Sequence, residues 1–274
     1  MKLGEIQVLT MVKRVDFGVY LGSDTERVLL PGKQVPDGLE PGDPVEVFLY
    51  KDSRDRMIAT TNRPKLTLGE LAVLQVVDTG RIGAFLDWGL EKDLLLPFHE
   101  QTAKVEKGDS CLVTLYIDKS ERLCATMKVY PLLQTNAPYR KDDRVTGIIY
   151  DRSDEFGVFV AVDERYSALI PRKEVHRKLQ VGSRVEARVT EVRADGKLNL
   201  SLREKIPQQM EKDAEKILRV MEKYEGRLPF TDKAKPEIIQ REFGMSKAAF
   251  KRAVGRLLKA GKIDIQENAI VRKK

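Results

Sequence analysis

Phe156-Gly157-Val158-Phe159-Val160, then Leu169-Ile170-Pro171, then Leu179-Gln180-Val181-Gly182-Ser183, is the stretch that decides the fold, because its frame occurs twice earlier in the chain. The first copy reads Phe17-Gly18-Val19-Tyr20-Leu21, Leu29-Leu30-Pro31 and Leu39-Glu40-Pro41-Gly42-Asp43. The second reads Ile82-Gly83-Ala84-Phe85-Leu86, Leu95-Leu96-Pro97 and Val105-Glu106-Lys107-Gly108-Asp109. The spacing from the Pro to the following Gly is the same in all three (31 to 42, 97 to 108, 171 to 182). Each copy then enters an alternating apolar–polar run, such as Val185-Glu186-Ala187-Arg188-Val189, and a last short strand, such as Leu198-Asn199-Leu200-Ser201. Short strands separated at regular intervals by Gly, Pro and Asp predict one five-stranded barrel per copy, closed so that no strand edge stays exposed. Pro64, the segment from Pro131 to Pro138, and Pro207 fall between units and read as linkers.

The repeats divide the 274 residues into 1–63, 64–135, 136–205 and a non-repeating remainder, 206–274. Hydrophobic residues at 42% suffice for packed cores, so wholesale disorder is excluded. No run approaches the roughly 18 apolar residues of a membrane span, and Met1-Lys2-Leu3-Gly4-Glu5 builds no signal-peptide core. Only Cys111 and Cys124 are present, so no disulfide framework is implied and a cytoplasmic location is expected. The net charge of +7 is unevenly spread: the four blocks carry −1, −2, +3 and +7 in chain order. A polyanionic partner is therefore expected at the C-terminal half.

From Gln208 the apolar period changes to that of a helix. Met210, Ala214, Ile217, Leu218, Met221 and Tyr224 make one stripe. Pro236 opens a second helix carrying Ile238, Ile239 and Phe243, and Ser246 caps a third, which buries Phe250, Val254, Leu257 and Leu258 and stops at Gly261. Ile263-Asp264-Ile265 and Ala269-Ile270-Val271 read as a β-wing. The outer side of the third helix carries Lys247, Lys251, Arg252, Arg256 and Lys259, the arrangement expected of a helix that tracks phosphates. With no Asn or Gln on that helix, base-specific reading is not evident, and an ordinary solvated face is the alternative.

The three copies resemble the S1-type RNA-binding domain, a variety of oligonucleotide-binding (OB) barrel, and the third, Gly147 to Arg203, matches best. The C-terminal quarter resembles a winged-helix domain. The expected fold is thus multidomain and mainly β: three tandem five-stranded S1-type OB barrels, then an α+β winged helix. In the S1 family two aromatic positions lie on the RNA-binding surface, where unpaired bases stack on rings beside cations. Those positions map to Phe17 and Tyr20, to Ile82 and Phe85, and to Phe156 and Phe159. A Gly-induced bulge is the expected device for putting both on one face. The second copy lacks its first ring, which Trp88 is a candidate to replace. The family's Asp and Arg beside the rings become Asp52/Arg56, Asp118/Arg122 and, with both positions basic, Arg193/Lys197; its His is Pro31, Pro97 and Pro171. The alternative is that the rings cap the barrel cores and Asp-x-x-x-Arg is a turn salt bridge.

Three such barrels plus a winged helix, with Phe243-Gly244-Met245-Ser246-Lys247 and the repeated Leu-x-Pro signatures, resemble the conserved virulence factor B family. The resemblance implies an RNA-binding regulator of gene expression that affects virulence-factor production in pathogens. No enzyme is expected: His99 and His176 stand alone, the acidic pairs Asp142-Asp143 and Asp154-Glu155 read as surface turns, and no phosphate-binding Gly-rich loop occurs. No metal or cofactor is expected. Single-stranded RNA is the expected partner, with a DNA-binding regulator or a ribosome-associated factor as alternatives.

Overall fold

A computed structural model describes residues 1–176, 178–203 and 206–273, with backbone only over 206–209. The chain forms two compact units, Met1–Leu202 and Arg203–Lys274. The first unit holds all three repeats. In the first barrel β1 (Ile6–Val15), β2 (Gly18–Gly22), β3 (Arg27–Pro31), β4 (Pro44–Lys51) and β5 (Met57–Thr60) close in the order β1-β2-β3-β5-β4. The third barrel repeats this with β11 (Arg144–Ser153), β12 (Gly157–Val162), β13 (Tyr166–Pro171), β14 (Arg184–Val192) and β15 (Leu198–Ser201). The second comprises β6 (Leu71–Thr79), β7 (Gly83–Asp87), β8 (Leu94–Pro97), β9 (Ser110–Ile117) and β10 (Leu123–Thr126). Here the expectation of closure holds less fully: the sheet runs β10-β9-β6-β7-β8, and its end strands make no ladder. The seam strand β8 has four residues, where its counterparts β3 and β13 have five and six. The counterparts close through short parallel pairs, Leu29 with Ile58 and Ala168 with Leu198.

Alternation along the strands sets each core. Val158, Val160 and Val162 of β12 and Val185, Ala187 and Val189 of β14 point into the third barrel, each Val contributing about 1.5–3 kcal/mol when fully buried. The aromatic strand itself carries no bulge. β12 pairs with β13 without a break from Gly157–Pro171 to Val162–Tyr166, and the shift lies on β11, between Ile149 and Asp151. What places Phe156 outside is Gly157, at φ +124°, where an added Cβ would lie 2.2 Å from the Ile170 carbonyl oxygen. The chain can thus turn sharply against β13 before the strand begins, leaving Phe156 at its mouth.

The barrels are fused to one another, and the expected linkers do structural work. Phe48 and Tyr50 of β4 join the core of the second barrel, with Trp88 edge-on to both rings at 5.7 and 6.3 Å between centroids. Between the second and third barrels, Leu112, Val129, Leu133, Ile148, Tyr150 and Ala161 make a separate buried cluster. The Pro131–Pro138 segment is stitched into the third barrel: the Ser167 amide donates to the Gln134 carbonyl at 2.9 Å, and the Asn136 amide to the Gly196 carbonyl at 2.9 Å. Gly182 lies so close to the second barrel that a Cβ there would sit 1.9 Å from the Ser110 carbonyl oxygen.

In the second unit α1 (Ile206–Lys223), with Pro207 in its first turn, is followed by β16 (Arg227–Leu228), α2 (Pro236–Phe243), α3 (Lys247–Lys259), β17 (Ile263–Ile265) and β18 (Ile270–Arg272). The Ser246 hydroxyl accepts from the Ala249 amide at 3.3 Å, capping α3, and Gly261 follows that helix at φ +68°. Ile217, Met221, Ile239, Phe243, Phe250, Val254 and Leu257 form the core. Two details differ from expectation. Leu258 is exposed, because Val254 and Leu257 already fill the inward face of α3. The wing gains a third strand, β16, which pairs with β18 and is too short to leave a periodic signal.

Candidate nucleic-acid interface

The third barrel brings all four of its expected residues to one cleft of about 500 Å³, lined by Phe156, Phe159, Arg193 and Lys197 together with Tyr130, Tyr150 and Ser167. Phe156 projects from the mouth of β12, 56% exposed. Phe159 is half-buried and leans on Tyr150, with ring centroids 6.0 Å apart. Arg193 and Lys197 stand at the ends of the β14–β15 turn, held by the Arg193 amide donating to the Lys197 carbonyl at 2.8 Å. The two cations are not a bare basic pair. Asp195, inside the same turn, bridges Arg193 at 3.3 Å and Lys197 at 3.1 Å.

Two cleft residues have no place in the repeat pattern. Tyr130 comes from the turn leaving the second barrel and is 50% exposed, with the Lys197 ammonium 5.5 Å from its ring centroid. The Tyr130 phenol, then the Asp195 carboxylate, hold the Lys197 ammonium above its ordinary range. Tyr150 is the bulged residue of β11 and is 3% exposed. Its hydroxyl is shut off from solvent and makes no hydrogen bond of full geometry, and the side chain beside it is that of Ser167. Burial above all raises this phenol well beyond its ordinary range, so it stays a proton donor at neutral pH. Position in the fold, and no local signal, marks these two.

The first two barrels arrange their equivalents differently. Phe17 is 60% exposed and Tyr20 half-buried, but Arg56 folds back on Asp52 with contacts of 3.0 and 2.7 Å. Desolvation pushes the Asp52 carboxyl up, yet hydrogen bonds from the Arg56 side chain and from the Arg56 and Arg54 amides together bring it below the usual range. This pair is the turn salt bridge of the alternative reading. In the second barrel Asp118 accepts the Ser120 and Arg122 amides, while the Arg122 guanidinium crosses to Asp55 of the first barrel. Lys51–Glu121, at 3.5 Å, reinforces the same joint. Trp88 cannot replace the lost ring: it is 3% exposed and donates its indole N–H to the Lys92 carbonyl at 2.6 Å. Ile82 is exposed beside half-buried Phe85, and the exposed ring nearest in the backbone is Phe98, whose amide donates to the Ile82 carbonyl at 3.4 Å.

On the second unit the cations of α3 are partly engaged. Arg256 pairs with Glu211 at 3.2 Å, Lys251 lies 4.0 Å from Asp232, and the Lys247 ammonium donates to the Lys233 carbonyl at 3.4 Å. Arg252 has no ion-pair partner among the described residues. No group of three or more His, Cys, Asp or Glu is placed to hold a metal among the described residues, and none of their helices is long and apolar enough to cross a membrane.

Family models match along the chain in the same order as the folded modules. An S1 domain model matches residues 3–62 and 68–128, an S1 RNA binding domain model 139–203, and a CvfB-like winged helix domain model 215–271. The chain is 35% identical over 278 residues to the uncharacterized protein YitL of Bacillus subtilis, covering 98% of this chain and 92% of that one. It is 31% identical over 281 residues to the conserved virulence factor B of Staphylococcus haemolyticus, covering 98% and 93%. A crystal structure of a multidomain protein with nucleic acid binding domains from Streptococcus pneumoniae superposes with a TM-score of 0.56 at 26% identity, over 99% of this chain and 98% of that one. S1 and winged-helix modules are nucleic-acid-binding folds, and with this order of modules and these relatives the chain belongs to the conserved virulence factor B family.

Proposed function

We propose that this protein binds single-stranded RNA, acts as a cytoplasmic regulator of gene expression after transcription, and catalyses no reaction itself. The third-barrel cleft is the observation that carries the reading. Two phenylalanines and Tyr130 offer faces for unstacked bases, Arg193 and Lys197 stand within reach of phosphates, and the cleft they line with Tyr150 and Ser167 has a volume sized for a base. Such a cleft admits a base only when its strand is unpaired, so single-stranded RNA is favoured over duplex. The relatives named conserved virulence factor B extend the reading to control of virulence factors where the host organism is a pathogen.

The test is competition binding at one fixed salt concentration with single-stranded RNA, duplex DNA and isolated ribosomal subunits. Preference for the single strand, lost in Phe156→Ala/Phe159→Ala, is the expected result. Preference for duplex DNA would favour a transcription regulator working through the winged helix, and preference for subunits a ribosome-associated factor.

A further inference from the structure

In each barrel the mouth of the second strand is built from the same two backbone positions: the residue before the strand glycine, and the residue after the proline of Leu-x-Pro. The amide of the second donates to the carbonyl of the first in all three copies, Gly32 to Phe17 at 3.0 Å, Phe98 to Ile82 at 3.4 Å and Arg172 to Phe156 at 3.0 Å. The approach of the two strands is equally close, since an added Cβ on Gly83 or on Gly157 would lie 2.2 Å from the facing carbonyl oxygen. Both positions therefore border one mouth. The first and third copies carry a ring at the first position, as Phe17 and Phe156, whereas the second carries Ile82 there and a ring at the other position, Phe98. The exposure of the three rings is nearly the same, 60% for Phe17, 57% for Phe98 and 56% for Phe156. The ring lost at Ile82 is thus regained across the mouth.

We infer that Phe98 is a second stacking platform for unpaired bases, and that one RNA strand runs from the third-barrel cleft onto the second barrel. The inference rests on the RNA-binding reading of that cleft. Continuity with the cleft supports it. Phe98 opens a single helical turn, Phe98–Glu100, that is tied to the chain leading into the cleft. The Met127 amide donates to the Glu100 carbonyl at 3.0 Å, the Thr126 hydroxyl to the Glu100 carboxylate at 2.6 Å, and the Lys128 ammonium lies 3.3 Å from that carboxylate. Two residues beyond Lys128, Tyr130 lines the third-barrel cleft. Glu100 belongs to the barrel frame, because Glu174 takes the Ser201 hydroxyl at 2.6 Å in the third copy. The charges around Phe98 balance. Arg81, next to Ile82, and Lys128 stand against Asp78, opposite Phe85, and Glu100, while the Asp118/Arg122 turn sends its guanidinium to Asp55. The platform therefore holds a base by its face and adds no net attraction for phosphates.

The experiment uses the full-length chain and two fluorescent single-stranded oligoribonucleotides, of about 6 and about 20 nucleotides, with binding measured by anisotropy from low to high salt. One OB fold takes about 4–16 nucleotides, so the short strand fits the third barrel alone and the long one reaches beyond it. F98A should weaken binding of the long strand about tenfold, the effect of one lost stack of about 1.4 kcal/mol, and leave the short strand unchanged. The slope of log K against log salt should stay within about 0.7, one phosphate contact, of the wild-type value. F98W keeps a ring face and should bind the long strand as the wild type does. Unchanged affinity for the long strand in F98A, an equal loss for the short one, a slope shrunk by more than one contact, or F98W as weak as F98A overturns the inference. So does a fall in the sedimentation coefficient of the RNA-free chain in F98A, which would make the patch a contact between copies. F156A/F159A separates the two claims, since it should weaken both strands whatever F98A does. If the wild-type chain binds neither strand, both claims fall together; if it binds them and F98A changes nothing, only the second platform falls.

Discussion

Tyr150→Phe deletes one oxygen from the floor of the third-barrel cleft and leaves the ring that supports Phe159. A buried hydroxyl without a partner costs about 1–3 kcal/mol of desolvation, and the Tyr150 hydroxyl is in that position at 3% exposure. Removing it should therefore stabilise the first unit by about 1 kcal/mol, the low end being apt because the Ser167 side chain beside the oxygen offsets part of the cost. For a unit of this size such a gain raises Tm by roughly 2–4 °C, measurable by differential scanning calorimetry on the full chain. Stability and binding should move in opposite directions. If the hydroxyl turns from Ser167 to a base edge when RNA binds, the variant should lose about 5- to 20-fold in affinity for the favoured homopolymer and little for the others, flattening base preference. A fall in Tm would refute the reasoning, since it would mean that the hydroxyl is already satisfied in the folded protein.

Four further outcomes follow from the geometry. Phe156→Ala, Phe159→Ala and Tyr130→Ala should each weaken single-stranded RNA binding by about 1–3 kcal/mol if each ring carries a stacked base, as titrations at constant salt would show. Gly182→Ala should cost clearly more in urea unfolding than Gly108→Ala: both residues have positive φ, but only at Gly182 would the Cβ meet a carbonyl oxygen, at 1.9 Å. Phe48→Ala should cost about 3–5 kcal/mol and shift the fluorescence of Trp88, the single Trp of the chain, to longer wavelength as the joint between the first two barrels loosens. Cys111 and Cys124 should resist alkylation in the folded protein near neutral pH, because burial pushes their thiols up to about 12 and about 11, and should react once it is unfolded.

What could be read from the sequence was whatever recurs within one repeat. The barrel frame, the Phe156/Phe159 pair and the Arg193/Lys197 turn all lie inside a single copy, and strand pairing alone gathers them into one cleft. Tyr130 and Tyr150 carry no such signal. The first belongs to a segment that looks like a linker, and the second is a bulged residue whose burial depends on the neighbouring barrel. Trp88 shows the same gap from the other side. Its exposure was open on sequence alone, and the packing of Phe48 and Tyr50 against it from a different copy settles it. Periodicity reports which face of a strand is apolar. It does not report whether the cover is the barrel's own core or the next barrel.

That distinction bears on why the repeats have diverged. An Asp followed four residues later by a cation marks the β4–β5 turn of the first barrel and the β9–β10 turn of the second. There the cations are turned inward, Arg56 onto Asp52 and Arg122 across the joint onto Asp55. A guanidinium held by a carboxylate has less to offer a phosphate, since binding must first break that pair. Exposed pairs of this kind contribute only about 0–1 kcal/mol, so the competition is weak for one contact but repeated at both turns. In the third barrel a second cation stands where the other two have Asp, and two positive charges share the single Asp195. Within the turn itself one net positive charge is thus left in the third copy, set against Asp151 on the same cleft, and none in the Asp52/Arg56 pair of the first. Restoring the acidic partner by Arg193→Asp should accordingly remove most of the salt dependence contributed by this barrel. The reciprocal change Asp52→Arg should add some to the first, whose Phe17 and Tyr20 are already outside its core.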